Sequence, residues 1–559
     1  MKYTEPPQSP VPPELCGDRN TGLTGSAPDP YPAAARVAEL SRLSINPIPS
    51  IADMLFCVIL VFLSFSDHSG LLGDGDTGYH IRAGQYIIET FSVPKTDIFS
   101  FHTPPLPWTA HEWLSEVIMA NVHDIAGLSG VVTFFAILLA CTITLLFKIL
   151  RSYGAPTLLA TAITLFVCCA SQIHWLARPH VFSFLLMVVW HYLLESWQRG
   201  TVNRLYLLPL SMLIWVNLHG GFLGGFILLG AYLIGNLFHT LSRPIDERNS
   251  CRKRLCQLML TAGACLLACL CNPSGYQILF FPFKLVSNRF LMDHISEFLS
   301  PNFHDFMPFK YLLLMLVALL ALSKRRVEPT ELVLVLIFTN MALYSTRYIP
   351  LFALVVAPTL VRQSEQAQKC VSGKLASFFS KRSENIASLD ARATGFLWPA
   401  AALIAVAVAV GSGRIHHGFD AKIKAVDAVE FLMHEKIAGN MFNDDEFGDY
   451  LIYRSYPTYR VFFDGRSDMY GTDKLQEYLK ITGFEAGWEQ IIDKYRITWV
   501  FYDTNSNLSR FLLNERDWVL IYSDRVASIF VKDLPQYGYL KAKYRLGKLA
   551  AVATGNDAK

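Results

Sequence analysis

The sequence predicts an all-α polytopic bundle of about eleven transmembrane helices, followed by an extramembrane α/β domain at its C-terminal end. Of its 559 residues, 52% are hydrophobic and 17% are charged, whereas a soluble chain carries about a quarter charged residues. The apolar residues gather in runs of about 15 to 22, separated by short polar or basic segments, which is typical of membrane helices. After residue 413 the runs give way to mixed helical and strand patterns.

The chain divides into four predicted regions. Residues 1–47 are rich in Pro, Gly, Ser and Ala and predict a disordered cytoplasmic tail. Residues 48–412 form the membrane module, residues 413–535 the α/β domain, and residues 536–559 a C-terminal tail. The predicted spans are 48–66, 128–148, 156–173, 180–196, 204–217, 220–239, 255–271, 309–323, 330–345, 347–361 and 396–412. The pairs 204–217/220–239 and 330–345/347–361 can each also be one broken helix.

Lys and Arg set the predicted orientation. They concentrate in every second loop, on the same side as the N-terminal tail, which is the cytoplasmic side by the positive-inside rule. The alternate loops are poor in basic residues and face outward, as does everything after the last span. An odd number of spans agrees with this assignment.

Two large outer segments result. The first outer loop, residues 67–127, contains a predicted helix from Gly78 to Phe91 and an amphipathic stretch from His111 to Ile125. In the C-terminal region "AVDAVEFLMHEKI" has helical period, and "YRVFFDG", "ITWVFYD" and "VASIFVKD" predict short strands.

Charge and cysteine content exclude two classes. A formal net charge of +3 is too small for a nucleic-acid-binding protein. The 11 cysteines lie mostly in or beside apolar runs, so we expect neither a disulfide framework nor a cysteine metal site.

Polar side chains occur at every outer turn of the predicted bundle. An acid or base at such a position costs about 3 kcal/mol if it faces lipid, so their joint placement predicts one shared, outward-facing site. Individually, Arg178 and Arg347 can be snorkelling residues, "GDGD" an ordinary turn, and His219 the end of a tight turn. The set comprises Asp74, Asp76, His80, His111, Glu112, Glu116, His174, Arg178, His180, Asn217, His219, Asn272, Asp293, His294, Glu297 and Arg347.

These residue types favour chemistry on a phosphate-linked substrate. Carboxylates beside histidines suit general-base activation of a hydroxyl, or a divalent cation such as Mg²⁺ or Mn²⁺ held by Asp74, Asp76 and His80. The fork of an arginine matches phosphate oxygens, which suits Arg178 and Arg347. An enzyme facing outward has no ATP or nucleotide sugar, so a polyprenyl-phosphate-linked sugar donor fits both charge and location.

Several motifs extend this interpretation. "GDGDTGYHIRAGQYI", "VPKTDIFSF", "WTAHEWLSE", "ARPHVFSF", "NLHGGF", "RYIPLFALV" and "GDYLIYRSYPTYRVFFDGRSDMYG" resemble an uncharacterised bacterial group within the GT-C membrane glycosyltransferases, over residues 50–535. The resemblance implies a bacterial inner-membrane enzyme that uses a first-loop aspartate as base. That role falls on Asp76, which starts a predicted helix whose amides keep it ionised, or on Asp74.

The same resemblance implies the other roles. Arg178 and Arg347 would bind the donor phosphate, and the substrate-positioning residues would be His80, His111, Glu112, His180, Asn217 and His219. We therefore expect transfer of a sugar to a glycan, lipid or protein acceptor on the outer face. The alternatives are a lipid-linked glycan ligase or polymerase, and a non-catalytic transport or assembly protein of cell-envelope polysaccharide.

A second acidic group lies in the C-terminal domain, at residues 444–449 and 464–468. We expect a solvated edge and a salt-bridged turn there, with acceptor binding as the alternative.

Overall fold

A computed structural model describes residues 47–66, 70–244, 248–370, 373–393 and 395–544. The predicted N-terminal tail, apart from residue 47, and most of the predicted C-terminal tail lie outside the described residues. The described residues from Ile48 onward belong to one compact unit.

Each of the eleven predicted spans corresponds to a helix. Ser50 caps the first of these helices and forms a reciprocal capping box with Asp53. In chain order, and including the extramembrane helices among them, the helices are α1 Ile51–Phe65, α2 Asp76–Thr90, α3 Trp113–Ser152, α4 Thr157–Ser171, α5 His180–Gln198, α6 Leu207–Leu218, α7 Leu223–Ser242, α8 Arg248–Cys269, α9 Gln277–Ser287, α10 Arg289–His294, α11 Pro308–Leu322, α12 Pro329–Tyr344, α13 Ile349–Cys370, α14 Lys374–Asp390 and α15 Leu397–Gly411.

Three of the described helical segments are long and apolar enough to cross a membrane, namely Trp113–Ser152, Thr157–His174 and Gly220–Ser242. Six further apolar helices have 10–17 residues, so the number of eleven crossings stays a prediction. Large apolar side chains on the bundle surface are exposed, such as Phe62 at 64% and Leu260 at 75%, as expected of helices that contact lipid.

The two ambiguous pairs are separate helices. His219 ends α6 with φ −166° and ψ 144°, and Ser345 ends α12 with φ −147° and ψ 136°. Both residues are extended, so they interrupt the helical hydrogen bonds at the predicted outer turns.

The first outer loop joins the bundle without a break. Its amphipathic stretch and the predicted span from residue 128 form the single helix α3, kinked at Ala126 and Gly127, where Gly127 has φ +60°. A glycine suits this left-handed position because it lacks a Cβ atom.

The C-terminal domain is a four-stranded sheet with flanking helices. Its strands are β1 Asn440–Asn443, β2 Ile497–Asp503, β3 Trp518–Ser523 and β4 Ala527–Lys532, in the order β1-β2-β4-β3, with β1 parallel to β2 and the other pairs antiparallel. Its helices are α16 Val426–Glu435, α17 Asp445–Ser455, α18 Ser467–Thr482, α19 Trp488–Lys494, α20 Asn507–Leu512 and α21 Gly538–Tyr544.

Two of the three predicted strands are confirmed, as β2 and β4. The third prediction, "YRVFFDG", is wrong because this segment does not join the sheet. Instead Val461 forms an isolated bridge with Ser100 of the first outer loop, and His102 of that loop contacts the carbonyl oxygen of Phe462 at 2.8 Å.

The first outer loop and the C-terminal domain thus fold together. Arg466 is 2% exposed and pairs with Asp464 at 2.6 Å and with Asp97 of the loop at 2.9 Å. Its guanidinium lies over the rings of Phe99 and Trp108. The expected salt bridge within the turn at residues 464–468 is confirmed by the Asp464–Arg466 pair, and both residues are buried against the loop.

Candidate functional site

Arg178 lies at the centre of the predicted outer site. Its guanidinium contacts Asp76 at 2.5 Å and Glu297 at 2.6 Å, and it also pairs with Asp74. The arginine side chain is 11% exposed. One guanidinium thus joins carboxylates from two outer loops that are more than 200 residues apart in sequence.

Backbone contacts fix this arrangement. The amide of Ala177 donates to the carbonyl of Leu71 at 2.7 Å, and the Thr77 hydroxyl donates to the carbonyl of Ala177 at 3.1 Å. Asp74 accepts a hydrogen bond from the amide of Asp76 at 3.0 Å. The start of α2 is therefore tied to the turn that carries Arg178.

The C-terminal domain contributes a second buried aspartate. Asp449, on α17, is 3% exposed and hydrogen-bonds to Asp76. Gly465 makes room for the pair, because a Cβ atom at this position would lie 2.2 Å from Oδ1 of Asp76 and 3.0 Å from Oδ2 of Asp449.

Burial is the largest cause of the shifted pKa values of Asp76 and Asp449. Loss of solvation raises the pKa of Asp76 to about 8, with Asp74 and Glu297 adding to the rise and Arg178 opposing it. Burial and the neighbouring Asp76 also raise the pKa of Asp449 well above its usual range. Two acids in contact in a buried site retain a shared proton near neutral pH.

The pKa of Glu297 is shifted in the opposite direction. Burial alone would raise its pKa, but Arg178 and Arg347 outweigh burial and lower the pKa of Glu297 to about 2. Arg347 lies 3.6 Å from this carboxylate. The hydroxyls of Ser345 and Thr346 donate to the Glu297 carbonyl at 2.9 and 3.1 Å, which fixes the loop against the turn before α13.

A second group surrounds Glu112. Its carboxylate lies 3.6 Å from His80, 3.6 Å from His111 and 3.4 Å from His219. Glu116 lies 3.3 Å from the other ring nitrogen of His80. Burial raises the pKa of Glu112 and of Glu116, the latter well above its usual range, while burial lowers the pKa of His80 and of His219.

Hydrogen bonds define the tautomers of two of these histidines. Nδ1 of His219 accepts from the amide of Gly221 at 2.9 Å, so its Nε2 carries the proton and points at Glu112. Nδ1 of His111 lies 3.1 Å from the carbonyl oxygen of Thr109, so it carries a proton and donates. A hydrogen bond between Nε2 of His111 and the Glu112 carboxylate then requires a second proton, on one of these two groups. The cluster can hold and move a proton.

The two groups are electrostatically continuous. Arg178 and Arg347 both lower the pKa of Glu297, and both oppose the rise in the pKa of Glu112. The charges of Asp76 and Glu112 both raise the pKa of Tyr79. Nine of the ten predicted site residues thus gather in one region, at Asp74, Asp76, His80, His111, Glu112, Arg178, His180, His219 and Arg347.

Two predicted substrate contacts have internal partners instead. The Asn217 oxygen accepts from Trp113 at 2.7 Å and from Asn272 at 3.1 Å, so its acceptor capacity is filled. His180 donates to the carbonyl of His174 at 2.9 Å, and its ring lies 6.3 Å from that of His219. The structure therefore favours positioning roles for Asn217 and His180.

The proposed cation ligands do not fit a divalent metal. Asp74 and Asp76 are bound by the guanidinium of Arg178, and His80 turns toward Glu112 and Glu116 instead of toward them. Within the described part of the chain, no group of three His, Cys, Asp or Glu side chains has the geometry of a metal site.

The sequence alone assigned neither Asp449 nor Glu297 a role beside Asp76 and Arg178. Glu297 was placed on the outer face but given no role, and only its contact with Arg178 reveals one. Asp449 stands in "EFGDYL", where Gly448 and Asp449 face another part of the fold. No spacing in the sequence connects it to Asp76.

Comparison with known proteins gives likeness in structure only. No family model matches the sequence, and no curated protein matches it. The oligosaccharyltransferase of Archaeoglobus fulgidus in its apo form is similar with a TM-score of 0.51 and 12% identity, over 82% of this chain and 70% of that chain. The oligosaccharyltransferase AglB from the same organism, in complex with an inhibitory peptide and a dolichol-phosphate, gives 0.50 and 12%, over 87% and 74%.

A third solved structure is ArnT from Cupriavidus metallidurans bound to undecaprenyl phosphate, with a TM-score of 0.43 and 11% identity over 90% of this chain and 99% of that chain. At these identities the likeness to the archaeal enzyme concerns the fold. The resemblance of the sequence to GT-C glycosyltransferases is thus confirmed at the level of the fold, which this chain shares with the archaeal oligosaccharyltransferase.

Proposed function

We propose that this protein is a membrane glycosyltransferase that moves a sugar from a polyprenyl-phosphate-linked donor to an acceptor on the outer face of a bacterial inner membrane. The observation that carries the proposal is the buried contact of Asp76 with Arg178 and Asp449 beside Arg347. The fold supports it, because the similar archaeal protein is an oligosaccharyltransferase.

The donor phosphate is assigned to Arg347. Arg178 already contacts three carboxylates, which makes it the fixed positive centre that orients Asp76. Among the described residues Arg347 has one carboxylate partner, at 3.6 Å, and its side chain is 24% exposed, so its guanidinium offers donors for phosphate oxygens. It lies at the start of α13, where a lipid-anchored phosphate would arrive from the membrane.

Asp76 is assigned the role of general base. As the acceptor hydroxyl attacks C1 of the donor sugar, its proton passes to Asp76 and the bond between C1 and the phosphate oxygen breaks. The polyprenyl phosphate leaves with that electron pair, stabilised by Arg347. Asp76 acts as the base in molecules in which the Asp76–Asp449 pair has lost its shared proton. With a pKa of about 8 the ionised carboxylate is then a stronger proton acceptor than that of an ordinary aspartate, and Asp449 holds it in place.

The cluster of Glu112 and its three histidines is assigned to sugar recognition. Its carboxylates and imidazoles offer donors and acceptors at one wall of the site, and sugar hydroxyls need both. Arg178 and Arg347 act electrostatically on Glu112 in this wall, which supports a position beside the proposed phosphate contact.

A second candidate transfers a preassembled lipid-linked glycan. The fold likeness favours it, because both similar archaeal structures are oligosaccharyltransferases. The two candidates share the same site chemistry and differ in the donor, so analysis of the lipid-linked intermediates that accumulate without activity separates single sugars from oligosaccharides.

The test uses the full-length protein in nanodiscs with candidate polyprenyl-phosphate sugar donors, and a deletion strain whose lipid extracts are analysed by mass spectrometry. We expect Asp76→Asn and Arg347→Ala to lower transfer by about 10²-fold or more while the proteins remain folded and inserted. Asp124→Asn is the matched control, since Asp124 lies in the same outer loop with its side chain 54% exposed. Transfer at the control level in both site variants would refute the assignment.

A further inference from the structure

A second polar region lies at the opposite end of the bundle. On α5, His180 belongs to the outer site and Glu195 follows 15 residues later, about 22 Å along the helix. Glu195 lines a cavity of about 1090 Å³ between α5, α7, α8 and the loop before α12. This inner-end cavity is on the side that the basic loops assign to the cytoplasm.

Cations dominate the described lining of the inner-end cavity. Its charged residues are Arg199, Arg243, Arg254, Arg325 and Arg362 together with Glu195 and Glu328, and its other lining residues are polar apart from Cys251. Even if Glu331 is added, which lines only a small adjoining cavity, two positive charges remain in excess among the described lining residues. Such a lining favours an anion and disfavours an acyl chain.

Within the described lining, Arg199, Arg325 and Arg362 are paired with carboxylates. Arg362 contacts Glu331 at 3.0 Å and also pairs with Glu195, and Arg325 contacts Glu331 at 2.7 Å. Arg254 is different: among the described residues it pairs with no carboxylate. It donates to the carbonyl of Gln198 at 3.2 Å and lies over the ring of Trp197.

Arg254 lies near the start of α8, which adds to the positive potential of the cavity. It stands in the second turn of α8, whose first turn contains no acid, and the N-terminal end of a helix carries partial positive charge. The neighbouring Asn249 and Ser250 line the same cavity. A bound anion would neutralise the Arg254 side chain.

The adjacent surface is apolar. On α7, Asn236 and His239 line the cavity, whereas Leu237, Phe238 and Leu241 are 46%, 55% and 61% exposed on the outside of the bundle. A ligand with a phosphate group in the cavity could therefore lay acyl chains along α7. Basic pockets between membrane helices on the cytoplasmic side recognise anionic lipid headgroups in this way.

We propose that the inner-end cavity binds the phosphate-bearing headgroup of an anionic membrane lipid, with Arg254 as its principal contact. This site is distinct from the outer site and does not depend on the proposed glycosyl transfer.

Native mass spectrometry of the full-length protein in detergent tests the proposal. The probes are phosphatidylglycerol and phosphatidylcholine with identical acyl chains, and sodium phosphate as a soluble source of the same group. We expect phosphatidylglycerol to bind at least tenfold more tightly than phosphatidylcholine, and Arg254→Gln to weaken it about tenfold, since one charge-assisted contact is lost. Arg254→Lys should fall between the two.

Arg252→Gln is the matched control, because Arg252 is exposed on the same helix and does not line the cavity. It removes the same charge and should leave binding within twofold of wild type. Equal lipid binding by Arg254→Gln and wild type, or equal losses in both variants, would overturn the site. Saturation by sodium phosphate with no added affinity from the lipid would overturn the lipid assignment.

Discussion

Replacing Gly465 by alanine tests whether the geometry of the Asp76–Asp449 pair matters for activity. The added Cβ atom would lie 2.2 Å from Oδ1 of Asp76, whereas non-bonded heavy atoms are most stable at about 3.5 Å. The carboxylate must therefore retreat by about 1 Å or the C-terminal domain must shift. Gly465 does not occupy the left-handed backbone region, so the effect comes from the contacts of the added Cβ atom with the carboxylates of Asp76 and Asp449.

The size of the expected loss follows from that displacement. Moving a catalytic group by about 1 Å lowers the rate by about 10²-fold, and overpacking a buried contact costs about 1–3 kcal/mol of folding free energy. We thus expect Gly465→Ala to lose most transfer activity with a modest fall in Tm. Initial rates in nanodiscs and thermal unfolding of the same preparation measure both.

Gly418→Ala is the matched control, because Gly418 lies in the same extramembrane region and a Cβ atom there would meet nothing within 4 Å. It should leave both rate and Tm unchanged. If Gly465→Ala were as active as Gly418→Ala, the Asp76 carboxylate would not be confined as the structure places it, and its assignment as base would lose its geometric support.

Two other variants follow from the same site. Burial is the main cause that raises the pKa of Asp76 to about 8, and the charge of Asp74 adds to the rise. Asp74→Asn removes that charge and should lower the pKa of Asp76, so the rising limb of the pH–rate profile should move to lower pH, because a base acts when deprotonated. An unmoved limb would exclude Asp76 as the titrating group. Arg466→Ala leaves Asp464 and Asp97 as buried, unpaired acids and should cost about 3–5 kcal/mol, read as a lower Tm and faster proteolysis of the C-terminal domain. The exposed Arg460→Ala should behave as wild type, and equal Tm values in these two variants would contradict the docking role of Arg466.

The helices of the bundle could be predicted from the sequence because hydropathy is a property of residues that are close together along the chain. All eleven apolar segments are helices, and the breaks at His219 and Ser345 fall where polar residues interrupt the runs. The gathering of Asp74, Asp76, Arg178 and Arg347 was predictable from topology alone. Alternate turns of a membrane bundle lie on the same side of it, so they can contact one another.

Contacts that depend on docking could not be predicted. Asp449 reaches Asp76 only because α17 packs against α2, and this packing uses Gly75 and Gly78, which carry no hydropathy signal. "YRVFFDG" has the composition of a strand, but Val461 pairs with the outer loop instead of with the sheet. The amide of Asn217 looked like a ligand because its partners Trp113 and Asn272 lie far away in sequence.

The joint packing of the outer loop and the C-terminal domain has a consequence for mechanism. Asp76 begins α2 in the loop, while Asp449 and Gly465 belong to the domain, so the base is held from both sides. Arg466 fastens the same two parts through Asp97. Any acceptor that displaced the domain would free Asp76 from Asp449 and change its ionisation. The domain therefore belongs to the catalytic centre under the proposed function, and a chain truncated before residue 413 should retain the membrane bundle but lose the environment that makes Asp76 a base.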